Sequence, residues 1–294
     1  MIQFEYGTRK LMFTGDLGNT PSPLLRDTDV IHDIDYMVME SCYGDRNHED
    51  RDVRRNMLRE AIMENYANKG ALVMPTFSLE RSQELLYEFN TLIEEKQIPV
   101  MPVYFDSPLA IELTKVYHKH SECLNPTAQS KIKHGDDIFV FPGLYTTRDS
   151  EDSKHILDVP GPKVIIAGSG MSNGGRVLHH EINYLPDPKN MLLLTGYQSV
   201  GTLGRKIEEG AKIVTIYHEP VAVKAKIFKI SGYSGHKDSD HLVQFVAGSK
   251  DTLRRVFCVM GEPKSALFLA QKLQGELNVH AEAPEVNQEV VLEF

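Results

Sequence analysis

Short apolar runs alternate with amphipathic stretches through the middle of the chain. Runs of strand length lie at 71–74, 100–105, 163–167 and 191–195. Each is followed by a turn rich in Gly, Ser, Pro or Asp, and then by a segment whose apolar residues have helical spacing, at 79–95, 109–120, 176–184 and 202–210. This repeated order predicts a mostly parallel sheet with helices packed on it.

The two ends of the chain follow a different pattern. Residues 3–14 resemble a hairpin, and further strands are predicted at 36–40, 227–231 and 255–260, with a helix at 239–247. Because α/β proteins place their chemistry where strands end, the turns after these strands are the first places to look for functional groups.

Composition limits the choice of function classes. The 294 residues, 41% of them apolar, are enough for a sizeable core and favour two domains over one. No run is long enough to span a bilayer and no signal pattern is seen, so we expect a cytoplasmic protein with no membrane partner. A net charge of −9 argues against broad adhesion to nucleic acid, although a local arginine cluster or a metal can reverse the field in one cleft.

The three cysteines predict no disulfide framework. Cys42, Cys123 and Cys258 lie far apart and form no C-x-x-C pair. We therefore expect buried or incidental thiols and no thiolate zinc site.

Four strand ends carry reactive side chains. Asp16 follows the hairpin, Glu40 ends the strand at 36–40, a glycine-rich loop at 168–176 ends in Arg176, and His236 lies in a tight turn. Two acids, an imidazole and an anion-holding loop suit metal-assisted cleavage of a phosphate ester. Each feature alone has an ordinary explanation as a turn or cap residue, a flexible connection, or a hydrogen-bonded histidine.

Seven motifs in a fixed order are more specific than any one of them. They read Phe-Thr-Gly-Asp-Leu-Gly, Glu-Ser-Cys-Tyr-Gly-Asp-Arg, Pro-Thr-Phe-Ser-Leu-Glu-Arg-Ser-Gln-Glu-Leu-Leu, Asp-Ser-Pro-Leu-Ala, Gly-Ser-Gly-Met-x-x-Gly-Gly-Arg, Gly-Tyr-Gln-x-x-Gly-Thr-Leu-Gly-Arg and Tyr-Ser-Gly-His-x-Asp. This succession resembles the β-CASP branch of metallo-β-lactamase-fold RNA nucleases, and most closely the prokaryotic relatives of the cleavage-and-polyadenylation nuclease.

The resemblance implies an α/β fold in which a partial metallo-β-lactamase αββα sandwich is interrupted by a parallel-sheet β-CASP domain. The implied boundaries are 1–44 and 229–294 for the two sandwich segments and 45–228 for the β-CASP domain. With its first half missing, the sandwich should leave the strands at 36–40 and 255–259 with an uncovered apolar face or an unpaired edge.

The resemblance also implies roles for individual residues. Asp16 matches an aspartate that bridges two zinc ions, and Glu40 and His236 match an acid–imidazole pair near the leaving group. A carboxylate that holds an imidazole raises its basicity and fixes its tautomer. The residues implied to border the RNA path are Ser169, Ser172, Gly175, Arg176, Tyr197 and Arg205.

Two departures from the family pattern concern the metal. The His-x-His-x-Asp-His motif is absent, since His118 and His120 lie on a predicted helix with no Asp-His after them. Met260 stands where the RNA-processing members usually have a zinc-binding histidine, and a thioether is a poor zinc ligand. Only Asp16 remains, and one carboxylate cannot make a tetrahedral site. We expect an N-terminally incomplete sequence in which zinc is absent or weakly bound.

Several functions stay open at this point. The leading prediction is a zinc-dependent RNA phosphodiester hydrolase of RNA processing or decay, an endoribonuclease or a 5′ exonuclease, with this chain inactive alone. The alternatives are a noncatalytic RNA-binding paralogue or scaffold, a metal-free α/β binding domain, and a DNA-processing member of the family. The expected partner is RNA, and a homodimer is the oligomeric state considered.

Overall fold

A computed structural model describes residues 1–293, which form two compact units. The strands are β1 (Ile2–Tyr6), β2 (Arg9–Phe13), β3 (Tyr36–Glu40), β4 (Ala71–Pro75), β5 (Val103–Asp106), β6 (Leu144–Thr146), β7 (Lys163–Ala167), β8 (Met191–Leu194), β9 (Ile213–Ile216), β10 (Glu219–Ala222), β11 (Lys226–Lys229), β12 (Arg255–Val259) and β13 (Ala281–Glu282). The α-helices are α1 (Arg51–Asn68), α2 (Arg81–Glu94), α3 (Pro108–Lys119), α4 (Pro126–Lys133), α5 (Ser150–His155), α6 (Val177–Tyr184), α7 (Leu203–Glu208), α8 (Ser239–Ala247) and α9 (Pro263–Leu277). Short 3-10 turns lie at Ser121–Cys123, Ile156–Asp158 and Ser231–Tyr233.

The central unit, residues 23–26 and 49–234, is built on a six-stranded parallel sheet of order β11-β8-β4-β7-β5-β6. Its middle strands are buried at every position, and nearly all of their residues are apolar, because the sheet is covered on both faces. In β7, Val164 and Ile166 enter one core, whereas Ile165 and Ala167 enter another. Alternate residues of a strand point to opposite faces, which explains both cores.

The terminal unit, residues 1–22, 27–48 and 235–293, is built on a five-stranded mixed sheet of order β1-β2-β3-β12-β13. Only β1 and β2 are antiparallel; the other neighbours are parallel. One face packs on α8 and α9 through Met37, Met39, Leu242 and Leu269. The sheet therefore brings the carboxyl ends of β2, β3 and β12 to one edge, where the candidate chemistry lies.

The mixed α/β class and the parallel sheet are confirmed, with the predicted strands in place to within a few residues. The long helix α1 was not predicted, although Leu58, Ala61, Ile62 and Asn65 are buried at helical spacing. The predicted domain boundaries stay a prediction; the compact units divide a few residues later, after positions 48 and 234.

The uncovered apolar face or unpaired edge expected at 36–40 and 255–259 is not found on those strands. The strands β3 and β12 are interior strands, paired on both sides, and every residue in them is buried or half-buried. The exposed apolar side chains lie instead on the edge strand and its neighbour, at Ile2, Phe4, Tyr6 and Phe13. The hairpin β1–β2, not β3, occupies the outer position because β2 pairs directly with β3.

No helix among residues 1–293 combines the length and the apolar character that a bilayer crossing requires.

Candidate active site

Glu40 is a buried, hydrogen-bonded carboxylate at the centre of the candidate site in the terminal unit. It ends β3 and is fully buried, and its amide donates to the Thr14 hydroxyl at 3.2 Å. One carboxylate oxygen, Oε1, accepts a hydrogen bond from the Leu17 amide in the turn after β2. Gly15 begins that turn with φ +58°, a left-handed backbone that favours glycine. The turn after β2 therefore wraps around the carboxylate that ends the neighbouring strand.

His236 binds the other oxygen of that carboxylate. Its Nδ1 lies 2.9 Å from Glu40 Oε2, and 27% of its side chain is exposed. Burial alone would lower the pKa of His236, but its hydrogen bonds with Cys42 and Glu40 outweigh burial and raise that pKa to about 10. The pair therefore keeps a protonated imidazole at a partly open position at neutral pH.

The main chain around His236 is held by residues that the sequence analysis did not single out. His48 Nε2 lies 2.9 Å from the His236 carbonyl oxygen, and the His48 amide donates to Asp238 Oδ2 at 3.1 Å. Asp238 also caps α8 by accepting from the His241 amide at 3.0 Å. The aspartate of the Ser-Gly-His-x-Asp motif thus anchors the turn, while the histidine faces Glu40.

Asp16 is not part of a metal-binding group among the residues that the structure describes. It precedes Leu17, whose amide contacts Glu40, and its side chain is exposed. Within residues 1–293, the only three His, Cys, Asp or Glu side chains placed to share one ion are Glu40, Cys42 and His236. The side chains described do not fit a site for two zinc ions bridged by Asp16.

Met260 follows β12 and is 61% exposed, with its backbone in the left-handed region at φ +63°. Its carbonyl oxygen accepts from the Cys42 thiol at 3.3 Å, so the backbone of residue 260 lies beside the turn after β3. The thioether itself offers only a weak acceptor.

The predicted RNA-binding residues all lie in the central unit, on the loops after β7 and β8 or, for Arg205, in the first turn of the helix α7 that follows the second loop. These loops are joined by hydrogen bonds from Gln198 Nε2 to the Gly170 carbonyl at 3.0 Å and from the Leu203 amide to Asn173 Oδ1 at 3.2 Å. Gly175 is required where the first loop turns back, because a Cβ there would lie 2.5 Å from the Gly168 oxygen. The structure therefore brings both loops together at the carboxyl edge of the sheet.

Arg176 is committed to protein partners rather than open to a ligand. Its guanidinium donates to Asp106 Oδ1 at 2.7 Å, to the Thr147 carbonyl at 3.0 Å and to the Arg148 carbonyl at 2.7 Å. Only 19% of its side chain is exposed. This geometry favours a role in positioning the loop over direct contact with a ligand.

The buried carboxylate of Asp106 collects four donors. Besides Arg176, it contacts His180 Nε2 at 2.7 Å and accepts from Ser153 and Thr147 at 2.6 Å each. Burial would raise its pKa, yet the hydrogen bonds from His180, Ser153 and Thr147 lower that pKa to about 2. The Asp-Ser-Pro-Leu-Ala motif of the sequence contains Asp106 but gives no local sign of this network.

The other predicted loop residues differ in their accessibility. Ser172 is buried and donates to Glu181, whose pKa burial raises to about 8 despite that hydrogen bond. Ser169 accepts from the Asn173 amide at 3.1 Å, and Tyr197 is half-buried. Arg205 donates to Glu209 at 2.6 Å and to the Gln198 carbonyl at 3.2 Å.

Comparison with known proteins adds two family matches. Residues 82–207 match the Beta-Casp domain, and residues 220–284 match the Zn-dependent metallo-hydrolase RNA specificity domain. The first match lies within the central unit, and the second runs from the end of the central unit into the last segment of the terminal unit.

Individual relatives agree with these matches. The chain is 35% identical over 266 residues to Ribonuclease TTHA0252 of Thermus thermophilus, covering 90% of this chain and 60% of that protein. It is 34% identical over 250 residues to the RNase J-like protein of Methanocaldococcus jannaschii, covering 83% and 56%. It is 29% identical over 287 residues to Transcription termination factor FttA of Pyrococcus horikoshii, covering 95% and 44%. The chain thus spans at most about 60% of the length of these relatives.

Proposed function

Because the chain belongs to the β-CASP family of metallo-β-lactamase-fold proteins, whose members include ribonucleases, we propose that it handles RNA and supplies the proton-donating pair of a zinc-dependent phosphodiester hydrolase. The observation that carries the proposal is the contact of 2.9 Å between His236 Nδ1 and Glu40 Oε2 at the edge of the terminal sheet. RNA processing or decay is the proposed setting, with an endonucleolytic or a 5′ exonucleolytic mode.

The proposed chemistry begins with the fixed carboxylate. Glu40 accepts from the Leu17 amide and from His236, so the imidazole is oriented through one ring nitrogen. A protonated imidazole held in this way can transfer a proton to the oxygen that leaves phosphorus when a phosphodiester is hydrolysed. Glu40 and His236 therefore contribute proton transfer, which neutralises the charge that develops on the leaving oxygen.

We propose no complete site for the catalytic zinc ions among residues 1–293. The family model implies zinc, and bound zinc would supply activation of water and stabilisation of charge at phosphorus. Asp16 is the one side chain proposed as a ligand there, and it lies in no group of three ligands within the described part of the chain. We therefore propose that the chain alone does not cleave RNA.

The RNA-handling surface is proposed to be the pair of joined loops at the carboxyl edge of the central sheet. Parallel strands direct backbone amides and helix N-termini to this edge, where phosphate binds favourably. Arg205 and Tyr197 are the proposed RNA contacts on the second loop and the helix that follows it, and Ser169 and Gly175 are those on the first loop. Ser172 and Arg176 are proposed to position the first loop, since their polar groups are used internally.

The test is binding and cleavage of a labelled single-stranded RNA by the 294-residue chain with added Zn²⁺. We expect binding that weakens as salt rises, with a slope of about −0.7 per phosphate contacted, and no cleavage. Failure to bind RNA at low salt would overturn the proposal. Cleavage that is slowed by Glu40→Gln would support the hydrolase and contradict the inactivity of the chain.

A noncatalytic RNA-binding role is the second candidate, favoured by the exposed thioether of Met260. The discriminating variant is Met260→His, which restores an imidazole at that position. If Met260→His cleaves RNA in the presence of Zn²⁺ while the wild type only binds it, the catalytic role is supported. If Met260→His binds RNA but gains neither cleavage nor tighter Zn²⁺ binding than the wild type, the scaffold role is supported.

A further inference from the structure

The thiol of Cys42 lies beside the acid–imidazole pair of Glu40 and His236. The three side chains form a group of three different metal-ligand types. The Cys42 sulphur, a Glu40 carboxylate oxygen and a His236 ring nitrogen lie within 4.8 Å of one another. Ligand atoms around a tetrahedral zinc ion lie about 3.3–3.8 Å apart, as follows from metal–ligand distances of about 2.0–2.3 Å. Small side-chain rotations therefore suffice to bring the three atoms to one ion.

The backbone that carries the thiol is held in place by β12 and the turn that follows it. Ser41 Oγ donates to the Val259 carbonyl at 2.8 Å, and Cys42 Sγ donates to the Met260 carbonyl at 3.3 Å. The Gly44 amide closes the turn by donating to the Ser41 carbonyl at 3.0 Å. These contacts fix Cys42 two residues beyond Glu40 with its sulphur on the side of His236.

The remaining ligand is fixed by a separate segment. The main chain of His236 forms an isolated bridge with Gly18, and its carbonyl oxygen contacts His48. Since the ligands come from two pre-positioned turns, binding of an ion would require little ordering of the backbone.

We propose that Glu40, Cys42 and His236 bind one thiophilic divalent cation of the Zn²⁺ class. Thiolate and imidazole select zinc-like ions over magnesium and calcium, which prefer oxygen ligands. Coordination releases two protons to solvent, one from the Cys42 thiol and one from the protonated His236 ring, so the ligands are a thiolate and a neutral imidazole. Water or a substrate oxygen would fill the fourth position.

This site differs from one built on Asp16, because none of its ligands is Asp16 and one of them is a cysteine. Its occupancy would break the hydrogen bond between His236 and Glu40, so excess zinc would remove the proton donor. That consequence rests on the proposed function, whereas binding of the ion does not.

The test is a titration of the folded chain with Co²⁺, followed by the near-ultraviolet charge-transfer band that a thiolate ligand gives. We expect the wild type to show the band at one ion per chain and to lose it when Zn²⁺ is added. Cys42→Ser should abolish the band and weaken Zn²⁺ binding about tenfold or more, since even indirect ligand contacts cost about that much.

The matched control is Cys123→Ser, which removes an exposed thiol outside this group. Cys258 does not compete, because burial raises its pKa to about 12. We expect Cys123→Ser to keep the band and the affinity, and His236→Asn to weaken binding while circular dichroism shows a folded chain.

Two results would overturn the site. The first is a wild type that shows no band on addition of Co²⁺, and the second is an unchanged affinity in Cys42→Ser. RNA binding is measured on the same samples without metal. If the chain does not bind RNA but shows a normal cobalt band, the proposed function alone is contradicted. If the chain binds RNA but shows no cobalt band, the metal site alone is contradicted.

Discussion

The two units each contain a carboxylate–imidazole pair, and the pairs differ in what surrounds them. In the terminal unit Glu40 is fully buried, but 27% of the His236 side chain is exposed. In the central unit both Asp106 and His180 are closed to solvent, with exposures of 0% and 2%, and Arg176, Ser153 and Thr147 also donate to the carboxylate. The same two chemical groups can therefore give a partly open acid or a closed structural anchor.

The comparison teaches that accessibility, and not the pairing itself, separates the two roles. A carboxylate that satisfies several donors in the interior stabilises loops, and its loss leaves buried charges and donors unpaired. A pair with one open side is available to a ligand or a proton acceptor.

Asp106→Asn should cost the most stability. The substitution leaves the Arg176 guanidinium without its buried counter-charge and presents an amide to groups that donate. We expect a loss of about 3–5 kcal/mol in the free energy of unfolding, the usual cost of breaking a buried ion pair. Urea denaturation followed by circular dichroism measures it, and a loss below about 1 kcal/mol would contradict the anchoring role.

Glu181→Gln should change how stability depends on pH. Burial raises the pKa of Glu181 to about 8, so the folded chain keeps a proton that the unfolded chain loses above its ordinary pKa near 4.5. This contribution is complete below that value and is lost as pH rises towards about 8, at up to about 1.4 kcal/mol per pH unit.

The glutamine variant resembles the protonated acid and keeps the partner of Ser172. Denaturation at pH 5 should give similar stabilities for wild type and Glu181→Gln, whereas at pH 8 the variant should be the more stable by about 1–3 kcal/mol. Equal stabilities at pH 8 would show that Glu181 is ionised without cost in the fold.

Arg176→Lys should separate loop positioning from RNA contact. Lysine keeps the charge but cannot reach Asp106 and the carbonyls of Thr147 and Arg148 together. We expect a loss of about 1–2 kcal/mol in stability, with RNA affinity changed by less than about threefold. Fluorescence anisotropy measures the affinity, with Arg205→Lys as the comparison. A large loss of affinity at unchanged stability would place Arg176 in contact with RNA.

Glu40→Gln should have the smallest effect on stability. The amide oxygen of glutamine can accept from the Leu17 amide. Without the carboxylate, the partly exposed His236 can lose its extra proton to solvent and then accept from the glutamine nitrogen. We expect a loss of about 1 kcal/mol or less by the same denaturation assay. A loss as large as that of Asp106→Asn would erase the difference between the two pairs.

The sequence by itself determined the fold class and the position of each candidate group along the chain. Continuous apolar runs such as those of β4 and β7 predict strands covered on both faces, and the motif order indicates the family. Asp16, Glu40 and His236 could be selected because each lies at the end of a strand or in the turn after one, where parallel sheets expose polar groups.

Only the tertiary structure decided which of these groups meet and which are available. Glu40 and His236 are 196 positions apart, and their contact depends on how β2, β3 and the turn at His236 pack. The commitment of Arg176 to Asp106 and the approach of Cys42 to His236 are equally invisible in local patterns. The physical reason is that periodicity reports the burial of a residue's own element, whereas hydrogen bonds and ligand groups depend on distances between elements far apart in the chain.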